Sequence, residues 1–183
     1  MRIISGKFKG KRLPTFGKLD ARPTTDFAKE GLFNVLNNHL DFEQLSVLDL
    51  FSGTGSISFE LISRGSGPVL AIEMNDKHCA FIRKIASELN TDQLTVIRTD
   101  VFRFLNSCKM KFDFIFADPP YQLDTLHQLP DIIFKKGILN NEGLFVLEHS
   151  DKQSFENHPC FAFHKHYGNV NFTFFTPQQE PQP

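Results

Sequence analysis

The chain has 183 residues, 40% of them hydrophobic and 22% charged, and a formal net charge of −1. That length supports one domain with its own core and needs no disulfide or metal staples. No stretch approaches the roughly 20 apolar residues of a membrane span. Met1–Lys7 contains no apolar signal core, and Cys79, Cys108 and Cys160 form no Cys-x-x-Cys pair. A membrane protein, a disulfide scaffold and a zinc site are therefore not expected, and a reducing cytoplasm is.

Residues 1–22 carry Arg2, Lys7, Lys9, Lys11, Arg12, Lys18 and Arg22 against Asp20 alone, a net charge of +6, so the remainder carries −7. A basic arm, 1–26, on an acidic body reads as a surface for backbone phosphates. Residues 27–40 read as a helix with Ala28, Leu32, Val35, Leu36 and Leu40 inward, capped by Thr24, Thr25 or Asp26. Five near-continuous apolar strands follow, at 46–51, 69–74, 94–100, 112–117 and 144–148. Helices are expected between them at 56–64, 76–90, 101–108 and 124–136, the second with Cys79, Ile82, Ile85, Ala86 and Leu89 on one face. Strands of this kind alternating with helices mark a parallel sheet covered on both faces, a doubly wound α/β domain. The stretches 161–167 and 170–175 flank Gly168-Asn169 as a terminal hairpin. The domain is thus expected over 27–176, and the tail 177–183 is expected to be disordered.

Two motifs carry chemistry. The first strand runs into Asp49-Leu50-Phe51-Ser52-Gly53-Thr54-Gly55-Ser56, where glycines would let a ligand approach the backbone. Ser58 stands where a dinucleotide fingerprint has its third glycine, and no Gly-Lys-Ser/Thr is present, which excludes a phosphate-cradling P-loop. Glu73 follows Asp49 by 24 residues, and an acid there suits a ribose diol. Asp100 could accept from an adenine amino group. The second motif is Asp118-Pro119-Pro120-Tyr121. A carboxylate and the Pro119 carbonyl can accept the two N–H bonds of an exocyclic amine, the prolines stiffen the turn, and Tyr121 offers a stacking face. Asp49, Glu73, Asp100 and Asp118 are expected as four strand-end acids on one edge of the sheet.

Together these residues resemble the S-adenosylmethionine-dependent methyltransferases that modify amino groups. More closely they resemble the RsmD family, which methylates a guanine N2 in bacterial 16S ribosomal RNA. The likeness runs through Arg2-Ile3-Ile4-Ser5-Gly6-Lys7, Arg22-Pro23-Thr24-Thr25, Leu32-Phe33-Asn34, Phe51–Ser56, Ser63-Arg64-Gly65, Ile72-Glu73-Met74, Asp118–Tyr121, Glu148 and Tyr167-Gly168. The chain departs from the family's common pattern in having Phe-Ser-Gly-Thr-Gly for Phe-Ala-Gly-Ser-Gly, Asn75 for Asp, and Tyr121 for Phe. None of these removes a proposed chemical group.

The resemblance implies a Rossmann-like class I methyltransferase fold: a mostly parallel seven-stranded sheet with a C-terminal antiparallel hairpin and helices on both faces. It implies S-adenosylmethionine as cofactor, held by Asp49, Phe51, Gly53, Gly55, Glu73, Met74, Asp100, Val101 and Asp118. Asp118, Pro119, Pro120 and Tyr121 would be catalytic. Arg2, Lys7, Lys9, Lys11, Arg12, Arg22 and Thr24 would contact RNA. The expected substrate is ribosomal RNA, within an assembling small subunit, and the expected protein is a cytoplasmic monomer without metal. Two other readings stay open on the residues alone: an adenine-N6 methyltransferase of DNA or RNA, and a non-catalytic RNA-binding or assembly protein.

Overall fold

In the computed structural model, residues 2–14 and 26–178 are described. The elements follow in the order α1 (Asp26–Leu36), β1 (Val47–Leu50), α2 (Ser56–Ser63), β2 (Val69–Glu73), α3 (Asp76–Glu88), β3 (Leu94–Arg98), α4 (Val101–Ser107) and β4 (Phe112–Ala117). After a single 3-10 turn, Leu126–Gln128, come α5 (Leu129–Lys136), β5 (Leu139–His149), β6 (Phe161–Tyr167) and β7 (Val170–Phe175). One seven-stranded sheet has the order β3-β2-β1-β4-β5-β7-β6. Strands β1 to β5 pair in parallel, and β7 joins β5 and β6 antiparallel.

Alternation along the strands splits the apolar residues between two faces. Leu48, Leu50, Ile72, Ile115 and Leu147 pack with Leu105 of α4 and with Leu129 and Ile133 of α5. Val47, Val69, Phe114, Phe116 and Val146 pack with Leu32, Phe33 and Leu36 of α1 and Leu61 of α2. Each face has its own helices, which is why the inner strands read as continuous hydrophobic runs.

Several boundaries differ from the sequence reading. The first helix ends at Leu36; Val35 and Leu40 are only half-buried, while Lys29 and Phe33 take core positions. The helix expected from 124 becomes α-helical only at Leu129, with Pro130 in its first turn, where a missing N–H costs nothing. β5 begins at Leu139 rather than 144, because Leu139 pairs with Phe112 across an irregular step in the ladder. The hairpin forms as expected, its two strands separated by Gly168 and Asn169 alone.

Residues 2–14 form a hairpin, with Arg2 bridging Arg12 and Ile3 N–H donating to the Lys11 carbonyl at 3.1 Å. It does not stand off the domain. Ile3 and Leu13 enter an apolar cluster with Phe59, Ile82, Ile85 and Leu89. Glu60, fully buried on α2, accepts the backbone N–H groups of Ile4 (2.7 Å) and Ser5 (3.0 Å). Lys29 lies 3.4 Å from that carboxylate and donates to the Arg2 carbonyl at 2.8 Å. Arg64 supplies a second cation at 3.0 Å. Among the described residues no helix is long and apolar enough to cross a membrane.

Candidate active site

β1 and β4 are neighbours, yet the next strands lie on opposite sides of them. This is the topological switch point, where loops leaving the carboxyl ends of the strands diverge and open a crevice. The register aligns Leu50 of β1 with Ile72 of β2 and Ala117 of β4. The glycine turn, Glu73 and Asp118 therefore emerge at one edge.

The turn after β1 is conformationally unusual. Phe51, Gly53 and Gly55 all have left-handed φ angles, of 60°, 54° and 78°. For Phe51 this costs on the order of 1–2 kcal/mol, and the surroundings enforce it. Ser52 N–H donates to the Ile72 carbonyl at 3.0 Å, and Ser52 Oγ lies 2.8 Å from the Asp49 carbonyl. Gly55 N–H closes the turn on the Ser52 carbonyl at 2.8 Å. A Cβ on Gly55 would press on the Phe59 ring at 3.0 Å. A Cβ on Gly53 would meet nothing closer than the Phe51 carbonyl at 3.9 Å, so that face of the backbone is open.

Glu73, the last residue of β2, ties this turn to the next helix. Its Oε2 accepts Gly53 N–H at 2.8 Å and its Oε1 accepts Asn75 N–H at 2.7 Å, with His78 Nδ1 at 3.6 Å. Asn75 then caps α3, accepting from the N–H groups of Lys77 and His78. The departure from Asp at this position keeps the cap. Met74 stands beside Glu73 with 68% of its surface exposed.

Two of the four acids are not where the sequence reading put them. Asp49 is not a strand-end residue: it pairs with Ala71 and Phe116 inside the ladder and is buried. Ser58 Oγ donates to its Oδ2 at 2.5 Å, so the residue that replaces the third glycine binds Asp49 to α2. Burial, opposed by the Ser58 hydrogen bonds and reinforced by Glu73, pushes the Asp49 carboxyl up to about 7. Asp100 lies two residues past β3 and is the N-cap of α4, its Oδ1 accepting Arg103 N–H at 2.9 Å. It is exposed, whereas Val101 beside it is buried in the core, which leaves Val101 its backbone rather than its side chain to offer a ligand.

Asp118 follows β4 directly, its N–H directed at the Leu50 carbonyl at 3.4 Å. The residue keeps part of its surface open, Pro119 is buried and Pro120 is exposed. Burial of the carboxyl, then the charges of Glu148 and Asp49, hold Asp118 well above the usual carboxylate range. Tyr121 is half-buried and donates through its hydroxyl to Glu148 Oε1 at 3.2 Å. Among the described residues no group of three or more His, Cys, Asp or Glu side chains could hold a metal ion.

The basic residues Arg2, Lys7, Lys9, Lys11 and Arg12 are all exposed, and Arg2 pairs with Glu30 at 3.1 Å. The hairpin lies along α2, with Lys7 N–H on the carbonyl of Ser63, the last residue of that helix. Its tip is therefore about one helix length, roughly 12 Å, from the glycine turn. Arg22 and Thr24 lie outside the described residues.

Lys29 and Glu60, central to this arrangement, escaped the motif reading, while Ser58 and Glu148 were named in it without a role in the site. Both glutamates had a signal, Glu60 as a lone acid inside the apolar run Ile57–Ile62 and Glu148 as the acid that closes the run Leu144–Leu147, since burying a charge is costly unless it has partners.

A sheet of this order, with β7 inserted antiparallel between β5 and β6 and a glycine turn and acids at the carboxyl edge, is a Rossmann-like methyltransferase fold. The family model described as "Conserved hypothetical protein 95" matches residues 1–176. Over 148 residues the chain is 34% identical to the ribosomal RNA small subunit methyltransferase D of Buchnera aphidicola, covering 81% of this chain and 75% of that one. It is 30% identical to the protein of the same name from Escherichia coli K12, covering 81% and 74%. The solved structure of yhhF from Escherichia coli superimposes with a TM-score of 0.84 at 26% identity, covering 96% of each chain. The chain belongs to this family, the RsmD family of methyltransferases.

Proposed function

We propose that the protein transfers the methyl group of S-adenosylmethionine to the exocyclic N2 of a guanine in small-subunit ribosomal RNA. One observation carries this reading: the open glycine turn and the Asp118-Pro119-Pro120-Tyr121 corner leave the carboxyl ends of adjacent strands, β1 and β4, at the switch point of the sheet. Kinship with proteins named for small-subunit ribosomal RNA supports the substrate class.

The residues of the turn suit the donor. The open face of Gly53 admits close approach, Glu73 beside it retains lone pairs for a ribose diol, and exposed Met74 and Asp100 border the same edge. When bound, S-adenosylmethionine supplies a methyl group that its sulfonium already makes electrophilic.

The chain's own work is on the acceptor, whose amino lone pair is spread into the ring. Asp118 and the Pro119 carbonyl accept the two amino hydrogens and so direct the lone pair into the crevice. Positioning of this kind contributes on the order of 7–11 kcal/mol in favourable cases. The nitrogen gains positive charge beside a carboxylate and a carbonyl dipole, which stabilise it. Its surplus proton leaves to Asp118 or to water. The base reaches the corner from a loop or by flipping out of a helix, and stacking on Tyr121 contributes about 1–3 kcal/mol. The exposed cations of the hairpin hold the RNA backbone along α2, within an assembling subunit.

The test is to incubate the protein with labelled S-adenosylmethionine and ribosomal RNA from cells lacking its gene, then digest the product to nucleosides. Labelled N2-methylguanosine is the expected product. N6-methyladenosine would overturn the choice of base, and an unlabelled digest would overturn the enzymatic reading.

A further inference from the structure

We propose that Glu148 is the positioning residue of the base-binding corner, holding the Tyr121 ring through its hydroxyl and acting on Asp118 from the neighbouring strand. This rests on the methyl-transfer reading and assigns a function to a side chain which that reading does not use.

The sheet determines where Glu148 stands. The last pair of the β4–β5 ladder is Ala117 with Leu147, so Asp118 and Glu148 are the next residues along both strands. On its other side Glu148 pairs with Phe172 of β7, so its backbone is held between two strands. Only 3% of the residue is exposed. From there its Oε1 reaches the Tyr121 hydroxyl at 3.2 Å, across the turn made by the two prolines. A Tyr121 ring tethered at its far end has lost most of its freedom before a base arrives, so less entropy is lost on stacking.

The second effect is electrostatic. Among the described residues, the charged groups acting on Asp118 are Glu148 from β5 and Asp49 from β1, both carboxylates. Like charges converging on one carboxyl favour its neutral form, and such arrangements cluster at functional sites. A carboxyl kept reluctant to ionise gains most from an incoming amino group, whose N–H bonds and developing positive charge favour the anion.

Two variants separate the effects. Glu148→Gln keeps an oxygen for the Tyr121 hydroxyl and removes the charge. Tyr121→Phe keeps the ring and removes the tether. Glu148→Gln should move the acid limb of the kcat–pH profile to lower pH, with KM for RNA little changed. Tyr121→Phe should raise KM for RNA several-fold and leave the acid limb in place. In RNA-free protein labelled with 13C at the aspartate carboxyls, the Asp118 signal, assigned by its loss in Asp118→Asn, should titrate at lower pH in Glu148→Gln. An unmoved Asp118 titration overturns the electrostatic role, and an unchanged KM in Tyr121→Phe overturns the tether. If the wild-type protein methylated no RNA, the functional reading would fall while the titration still tested the coupling. Matching thermal melts verify that each variant is folded.

Discussion

Asp49 gives the most direct test of the electrostatics of this sheet. It lies inside β1 with 1% of its surface exposed and accepts one hydroxyl hydrogen bond, from Ser58. Burial is the main reason its carboxyl is pushed up to about 7 from 3.8. A carboxyl raised on folding contributes stability that is fully present below its unfolded value and is lost as pH rises through its folded one. For Asp49 the window is therefore from about 3.8 to about 7. At about 1.4 kcal/mol per unit the whole effect is about 4 kcal/mol, of which about 2–3 kcal/mol falls between pH 5 and pH 8. Asp49→Asn keeps the shape and an oxygen for Ser58 but does not titrate. Urea unfolding of both proteins at the two pH values should show the variant gaining about 2–3 kcal/mol on the wild type from pH 5 to pH 8. A constant difference between the two proteins would refute the claim that a buried, weakly compensated charge sits in β1.

Asp118→Ala should lower kcat by about 100- to 1,000-fold, the usual effect of deleting one group that stabilises transition-state charge. Calorimetry should find its S-adenosylmethionine affinity largely intact, and near-normal turnover would remove Asp118 from the chemistry. Glu73→Ala should weaken that affinity about 10- to 100-fold by removing a charged acceptor and loosening the Gly53 turn. An unchanged titration would take Glu73 out of the site. Glu60→Ala strands the buried Lys29 ammonium and two hairpin N–H groups, and should cost about 3–5 kcal/mol in urea unfolding. Faster proteolysis of residues 2–14 in the folded variant would accompany it. Neutralising Lys7, Lys9 and Lys11 together should weaken RNA binding and reduce the slope of log affinity against log salt by about 2. An unaltered slope would show that the hairpin makes no phosphate contact.

The parts legible in the sequence are those written in local pattern. Leu48, Leu50, Ile115 and Phe116 announce strands buried on both sides. Cys79, Ile82, Ile85 and Ala86 announce a helix face, and all four are buried in α3. Gly53, Gly55 and the Asp-Pro-Pro-Tyr corner identify themselves because glycine and proline restrict the backbone before any tertiary contact forms. Partnership across the fold is not written that way. Asp49 and Asp100 look like the same strand-end acid, but one is closed inside a ladder by Ser58 and the other caps α4 at the surface. Burial, which no local motif specifies, separates them.

What the sequence alone determined is therefore the alternation of strands and helices, the glycine turn, and the rigid acid corner, since each follows from periodicity and backbone freedom within a few residues. The tertiary structure decided which acids stay open and which are sealed. It also lays the basic hairpin along α2 through Lys29 and Glu60, and stations Glu148 beside Asp118. These outcomes depend on strand register and helix docking, as where Lys29 meets the Arg2 carbonyl and Tyr121 meets Glu148, each pair 27 positions apart, a separation over which side chains meet only after the chain has folded.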